Sequence, residues 1–232
     1  MPTPSRTSET EIVRAASALL ERGGLDALTM QAVAAEVGVR APSLYKRVGG
    51  RDELLRRVAI AAADALREAM AASVGGGAGI ADASDAAGEA PVAPPAERVL
   101  ALAGAVRRFA RARPGAYRLV FAPPSETAAV PADVLGSAAG PVLAVAVELA
   151  GQERALDAAR TLTAWVHGFV SMELAGAFRL GDGLDEAFEF GARALAAALA
   201  APARPAGSSV PAGRLSASAL PSQLIPTNIR SS

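Results

Sequence analysis

Between Leu25 and Leu55 the chain reads LDALTMQAVAAEVGVRAPSLYKRVGGRDELL, and this stretch constrains the fold more than any other. Thr29 is placed to cap a helix over Met30 to Val37, in which Val33 and Val37 share one apolar face. Gly38 follows where a helix end needs a left-handed residue, so the chain can turn sharply without a Cβ clash. Pro42 suits the first turn of a second helix, where its missing N–H costs nothing. That helix is brief, Ala41 to Val48, because Gly49-Gly50 breaks it. Leu44 and Val48 anchor it, which frees Arg40, Ser43, Tyr45, Lys46 and Arg47 to point elsewhere. Asp52 and Glu53 then open a further helix, with acidic groups at its positive end. A short helix held across another by a tight turn suits the major groove of DNA, about 12 Å wide.

Upstream, Ser8-Glu9-Thr10-Glu11 has the capping-box pattern. Ile12, Ala15, Ala16, Leu19 and Leu20 continue at helical spacing, and Gly23-Gly24 ends that helix. Residues 1–57 therefore read as a three-helix head plus the start of a fourth helix. So small a unit is marginal alone, and the fourth helix is expected to tie it to a larger body.

The ordered set Ala15-Ala16, Leu19-Leu20, Leu28-Thr29-Met30, Val33-Ala34, Val37-Gly38-Val39, Pro42-Ser43-Leu44-Tyr45 and Leu54-Leu55 resembles the DNA-binding domain of the tetracycline-repressor-like (TetR) family. It covers about a quarter of the chain. Two positions depart from the commonest form. Lys46-Arg47-Val48 stands where many members carry an aromatic residue near a histidine, and Gly50 replaces a capping serine or asparagine. Glycine is itself a tolerated N-cap. The resemblance implies that Thr29 contacts a phosphate and that Tyr45 and Lys46 hold the DNA backbone on the other side. Gln31 and Arg51 belong to the same expected DNA-contacting set. Arg40 is the candidate for base readout, since arginine pairs with guanine O6 and N7 together, and Pro42 and Ser43 would touch a thymine methyl or a base edge. The plainer alternatives are a core position for Tyr45 and a solvated face for the basic residues.

Charge gives local support. From Gly38 to Arg57, Arg40, Lys46, Arg47, Arg51, Arg56 and Arg57 outnumber Asp52 and Glu53, while the whole chain has formal net charge +0. A neutral body with one basic face fits a specific DNA binder better than a general nucleic-acid coat. The 232 residues, 51% of them hydrophobic, leave room for one small and one larger domain. There is no cysteine, hence no disulfide or thiol chemistry, which is compatible with a cytoplasmic location. Neither a signal core nor an uninterrupted apolar run of membrane-spanning length is evident.

The fourth helix is expected to run from Arg51 to about Ser73, followed by a Gly/Ala/Pro-rich flexible loop over about 74–96. Helical spacing returns with Val99, Leu102, Val106 and Phe109, a short apolar piece spans Tyr117 to Phe121, and Pro131 to Leu149 reads as one further helix. No alternating pattern appears, so the fold class is all-α: a helix-turn-helix domain (1–57) and a helical ligand-binding and dimerisation domain (58–200). Residues 201–232 read as a disordered tail.

Trp165, Phe169, Met172 and Gly176 form one apolar stripe, and Leu184, Ala187, Phe188, Gly191, Ala192, Leu195, Ala198 and Leu199 another. Two such C-terminal helices resemble the dimerisation pair of the TetR family, and a homodimer would set two heads about 34–36 Å apart on a pseudo-palindromic operator. Trp165-Val166-His167-Gly168 resembles the Trp-His-Gly motif of one C-terminal subclass. Phe109, Tyr117, Phe121, Trp165, His167, Phe169, Met172 and Glu173 are the candidates to line an apolar pocket for a small-molecule effector; a core or dimer-interface stripe is the equal alternative. His167 is the sole histidine, and with Glu173 it falls on different helix faces, so neither a metal centre nor a catalytic pair is expected. No cofactor is expected. The functional expectation is a ligand-responsive, homodimeric repressor released from DNA by an apolar molecule. The alternative is an all-helical protein-binding adaptor; an enzyme is not expected.

Overall fold

The computed structural model describes residues 8–75 and 93–200. They form the head helices α1 (Glu9–Ala27), α2 (Met30–Glu36) and α3 (Ala41–Val48), the long α4 (Arg51–Gly75), and the body helices α5 (Pro95–Ala112), α6 (Pro114–Phe121), α7 (Ala132–Ala138), α8 (Gly140–Ala150), α9 (Ala155–Leu174) and α10 (Leu184–Ala200). A 3-10 turn, Glu126–Ala128, joins α6 to α7. There is no strand among the described residues, as the all-α expectation requires.

The local signals behave as chemistry dictates. Ser8 and Glu11 close the capping box, with Ser8 N donating to Glu11 Oε2 at 2.7 Å and Glu11 N to Ser8 Oγ at 3.2 Å. Gly23 and Gly24 leave helical geometry, and one more turn follows before α1 ends. Ile12, Ala16, Leu20, Leu28, Val33 and Leu44 are buried together beneath Leu54, Leu55 and Val58 of α4. Each large side chain there contributes roughly 1.5–3 kcal/mol by leaving water, an upper bound for a compact unfolded chain.

α4 serves both halves. Its first turns complete the head core, and Ala62, Ala63, Leu66 and Met70 face the body, so one apolar cluster runs from Ile12 to Ala196. Alanines at 59, 62 and 63 allow the helices to pack closely. α4 extends two residues past the expected end, to Gly75, and α5 opens at Pro95. The expected loop otherwise lies outside the described residues, as does the tail over 201–232.

Two expectations fail at the level of local geometry. The single helix read over Pro131 to Leu149 is two, α7 and α8, bent by 52°. Pro141 has no N–H to donate back across the break, so the ladder restarts as α8. On α9 the buried stripe is Ala155, Ala158, Ala159, Leu162, Val166 and Val170, not the aromatic one. Met172 is exposed, and Gly176 lies beyond the helix with φ +63°. Among the described residues no single helix is long and apolar enough to cross a membrane.

Candidate nucleic-acid interface and ligand cavity

α3 is presented by two anchors and one turn. Leu44 and Val48 are buried at 0% and 1% exposure, fixing one side of the helix to the head core. Gly38 adopts φ +69° between α2 and α3, a conformation that a side chain would strain, and Val39 N donates to Ala34 O at 2.9 Å to lock the turn. The other side of α3 is thereby left to solvent. Arg40, Pro42, Ser43, Tyr45 and Lys46 are exposed there, and Gln31 is exposed on α2. Tyr45 is 50% exposed, which removes its reading as a core aromatic. Thr29 is exposed and caps α2, its Oγ1 accepting from Ala32 N at 3.1 Å. Arg51 differs from its expected placement. Its Nε donates to Leu28 O at 3.0 Å and its Nη2 to Leu25 O at 2.6 Å, so its guanidinium braces the segment ahead of α2. The carbonyls left open there attract a cation more strongly than solvent does, and no spacing rule announces a pairing across 23 and 26 residues.

The body encloses a cavity of about 250 Å³ among α4 to α9. Leu66 and Met70 of α4, Val99 and Leu102 of α5, and Leu162 and Val166 of α9 give it a hydrocarbon wall. Tyr117, Phe121 and His167, three of the eight expected ligand residues, converge on it. Their rings cluster: Tyr117 to Phe121 at 4.9 Å and Phe121 to His167 at 4.6 Å between centroids. Tyr117 Oη lies 3.1 Å from His167 Nδ1, and His167 Nε2 lies 3.4 Å from Ser171 Oγ. Burial pushes the Tyr117 phenol well above its ordinary pKa. Phe121 and Leu135, partly exposed, mark the mouth between α6 and α7.

Sequence comparison covers both the head and the body. Residues 12–58 match the model of bacterial regulatory proteins of the tetR family, and residues 99–195 match the tetracyclin repressor-like C-terminal domain. An uncharacterised HTH-type transcriptional regulator of Mycobacterium tuberculosis, Rv0681, is 35% identical over 181 residues, spanning 75% of this chain and 73% of that one. The chain belongs to the TetR family. It is a DNA-binding transcriptional regulator with a helix-turn-helix head. Solved structures share the fold. BioQ with its double-stranded DNA operator superposes with a TM-score of 0.56 at 22% identity, covering 84% of this chain and 98% of that one. A TetR from Acinetobacter baumannii in complex with minocycline gives 0.56 at 23%, covering 82% and 95%.

The other expected pocket residues of this TetR-family protein lie elsewhere. Trp165 stacks on Phe188 of α10 at 5.3 Å, and Phe169 meets Phe188 edge-on at 5.0 Å. Glu173 is spent in an ion cluster. Arg107 grips it through two bonds of 2.8 Å, Nε to Oε2 and Nη2 to Oε1, and Arg111 Nε adds a third at 2.8 Å. Asp185 closes the cluster 2.7 Å from Arg107. The Arg107 bonds hold the Glu173 carboxyl below its ordinary pKa. Phe109 is buried in the core, and Met172 faces solvent. On α9, residues 162, 163, 166 and 167 line the cavity, whereas Trp165 and Phe169 meet Phe188 of α10 and Glu173 turns to Arg107 of α5. Arg107, which no spacing rule ties to Glu173, was not among the expected residues.

Two carboxylates join head to body. Glu21 of α1 accepts from Gly115 N at 3.0 Å and Ala116 N at 2.8 Å, capping α6. A side chain at Gly115 would stand 3.0 Å from Leu20 Cγ, so this contact requires glycine or a shift. α6 carries Tyr117, Val120 and Phe121 into the cavity wall. Asp52 at the start of α4 accepts from Ser125 Oγ at 3.0 Å and Thr127 Oγ1 at 2.6 Å, which hold its carboxyl low. These pairs bridge about 73 to 95 positions of sequence, so no periodicity announces them.

Proposed function

We propose that this protein is a cytoplasmic, homodimeric repressor that leaves its operator when a small apolar molecule enters the cavity. The observation that carries the DNA half of the reading is the solvent-facing side of α3, with Arg40, Ser43, Tyr45 and Lys46 opposite buried Leu44 and Val48. Tyr45 and Lys46 hold phosphates, Arg40 reads a base edge, and Thr29 and Gln31 brace the opposite strand. Dimerisation is supported by large apolar side chains left exposed on α9 and α10: Leu156 is 53% exposed, Met172 47% and Phe190 75%. A second copy of the chain is the occupant, because two heads must reach two half-sites. BioQ was solved on a DNA operator, which supports a DNA-bound state for this fold.

The effector half rests on the cavity and on the grip between α6 and the head. Entry of a ligand displaces α6 through Tyr117 and Phe121, and Glu21 passes the displacement to α1, while α4 moves with it. Release then requires a ligand with unequal affinity for the two head spacings. The TetR in complex with minocycline supports a small-molecule effector as the kind of partner.

Fluorescence anisotropy on the intergenic DNA beside its own gene, across a salt series and against a scrambled duplex, tests the first half. Preference for the native duplex at two protomers per site is the expected result. Lys46→Ala is expected to weaken binding to all sequences about equally and to reduce the salt slope by roughly one. Unchanged binding in Lys46→Ala and Tyr45→Ala would remove α3 from the interface.

A further inference from the structure

One part of the cavity wall is held far less firmly than the rest. Ala128 and Val130 are buried ahead of α7, and Val145 and Ala146 are buried beyond it. Between these anchors, residues 131–144 hold no buried side chain. The stretch still forms wall, since Leu135, Ala138, Ala139 and Val142 border the cavity. The helices α4, α5, α6 and α9 differ, because each sets buried side chains into that wall, from Leu66 on α4 to Val166 on α9. A segment with few buried apolar contacts opens at low cost.

The ends of this strap are shaped to bend. Pro131 precedes α7, and Gly140-Pro141 follows it at the 52° bend into α8. No side chain caps the start of either helix. Gly136 sits inside α7, where only proline favours the helix less. A Cβ at Gly136 or Gly140 would meet nothing within 4 Å, and neither residue has a positive φ. Packing therefore does not require these glycines, and what they supply is freedom of the backbone. Upstream the chain is fixed, because Ser125 and Thr127 both bond Asp52 of α4.

We propose that residues 131–144 are the door of the cavity: the strap swings away about Pro131 and Gly140-Pro141, admits the ligand and closes over it. The inference rests on the effector reading of the same cavity.

The chain has no cysteine, so one introduced thiol reports access without background. Val166→Cys places it in the cavity wall, and Val170→Cys places it one turn further along α9, buried and outside the lining. N-ethylmaleimide is expected to label Val166→Cys about tenfold faster than Val170→Cys. Adding Gly136→Ala and Gly140→Ala, which leave the lining untouched, is expected to slow labelling of Val166→Cys about tenfold and leave Val170→Cys unchanged. A second measurement needs no cysteine. An apolar cavity of ~150 Å³ takes benzene, and about 250 Å³ has room for naphthalene. In stopped-flow fluorescence the alanine pair is expected to slow naphthalene association and dissociation together, with little change in affinity, because the closed wall is the same.

Equal labelling at the two positions, or labelling and uptake unaltered by the alanine pair, overturns the door and leaves the effector reading standing. Slowed uptake with no effect of naphthalene on DNA binding overturns the effector reading and leaves the door standing. Absence of naphthalene uptake counts against the effector reading, and the labelling rates then decide the door alone.

Discussion

Two faces of one helix, α9, teach opposite lessons about aromatic residues. On one face His167 joins Tyr117 and Phe121 around a cavity of about 250 Å³. On the other, two positions either side, Trp165 and Phe169 are packed against Phe188 so tightly that a Cβ at Gly191 would lie 2.3 Å from Trp165 Cζ2. Both faces look alike in composition. What separates them is the neighbour: α10 brings a ring and a small residue to the second face, whereas α4, α5 and α6 bring aliphatic chains that do not fill the first. The packed face is also closed by charge, because Arg107 lies over the Phe188 ring at 4.7 Å while it grips Glu173. An apolar stripe is therefore a pocket only where its partners fall short of it.

The comparison breaks most decisively at Arg107. Arg107→Ala leaves Glu173, whose side chain is 9% exposed, with Arg111 alone, and is expected to cost about 4 kcal/mol in denaturant unfolding. A loss below about 1 kcal/mol would show that α10 is held by ring packing alone. Truncation of the rings follows. Trp165→Ala is expected to cost about 3 kcal/mol, and Phe121→Ala about 1 kcal/mol because its ring already borders space and solvent. Equal costs would mean that the two faces are packed alike. The smallest effect is the pH dependence of the ion cluster. Glu173 has a folded pKa below its ordinary 4.5, so its contribution is fully present above that value and is lost as pH falls through the folded value. Melting temperature should fall more steeply as pH drops below 4.5 in the native protein than in Glu173→Gln. Parallel curves would place the acid lability elsewhere.

Legibility followed sequence separation. The capping box at Ser8, the Gly38 turn, the bounds of α3 and the burial of Leu44 and Val48 were all readable, because each is settled within a few residues. In the site, Tyr117, Phe121 and His167 were readable as pocket residues; Trp165, Phe169, Met172, Glu173 and Phe109 were assigned to the same pocket and lie outside its lining. The aliphatic lining from Leu66 to Val166 was missed, since aliphatic positions carry no mark of lining a cavity instead of a core. Its one available signal on α9 was the i, i+4 pairing of Leu162 with Val166 and of Thr163 with His167.

The chain by itself determined the head: where its helices start and stop, which side of α3 is anchored, and hence the family to which it belongs. Local backbone preferences and caps that act within a few residues decide those matters. Tertiary structure alone decided that Arg51 braces the head, that Glu21 caps α6, that Arg107 takes Glu173, and which face of α9 meets space. Each of these depends on groups 20 or more residues apart meeting in three dimensions, and neither periodicity nor composition encodes such a meeting.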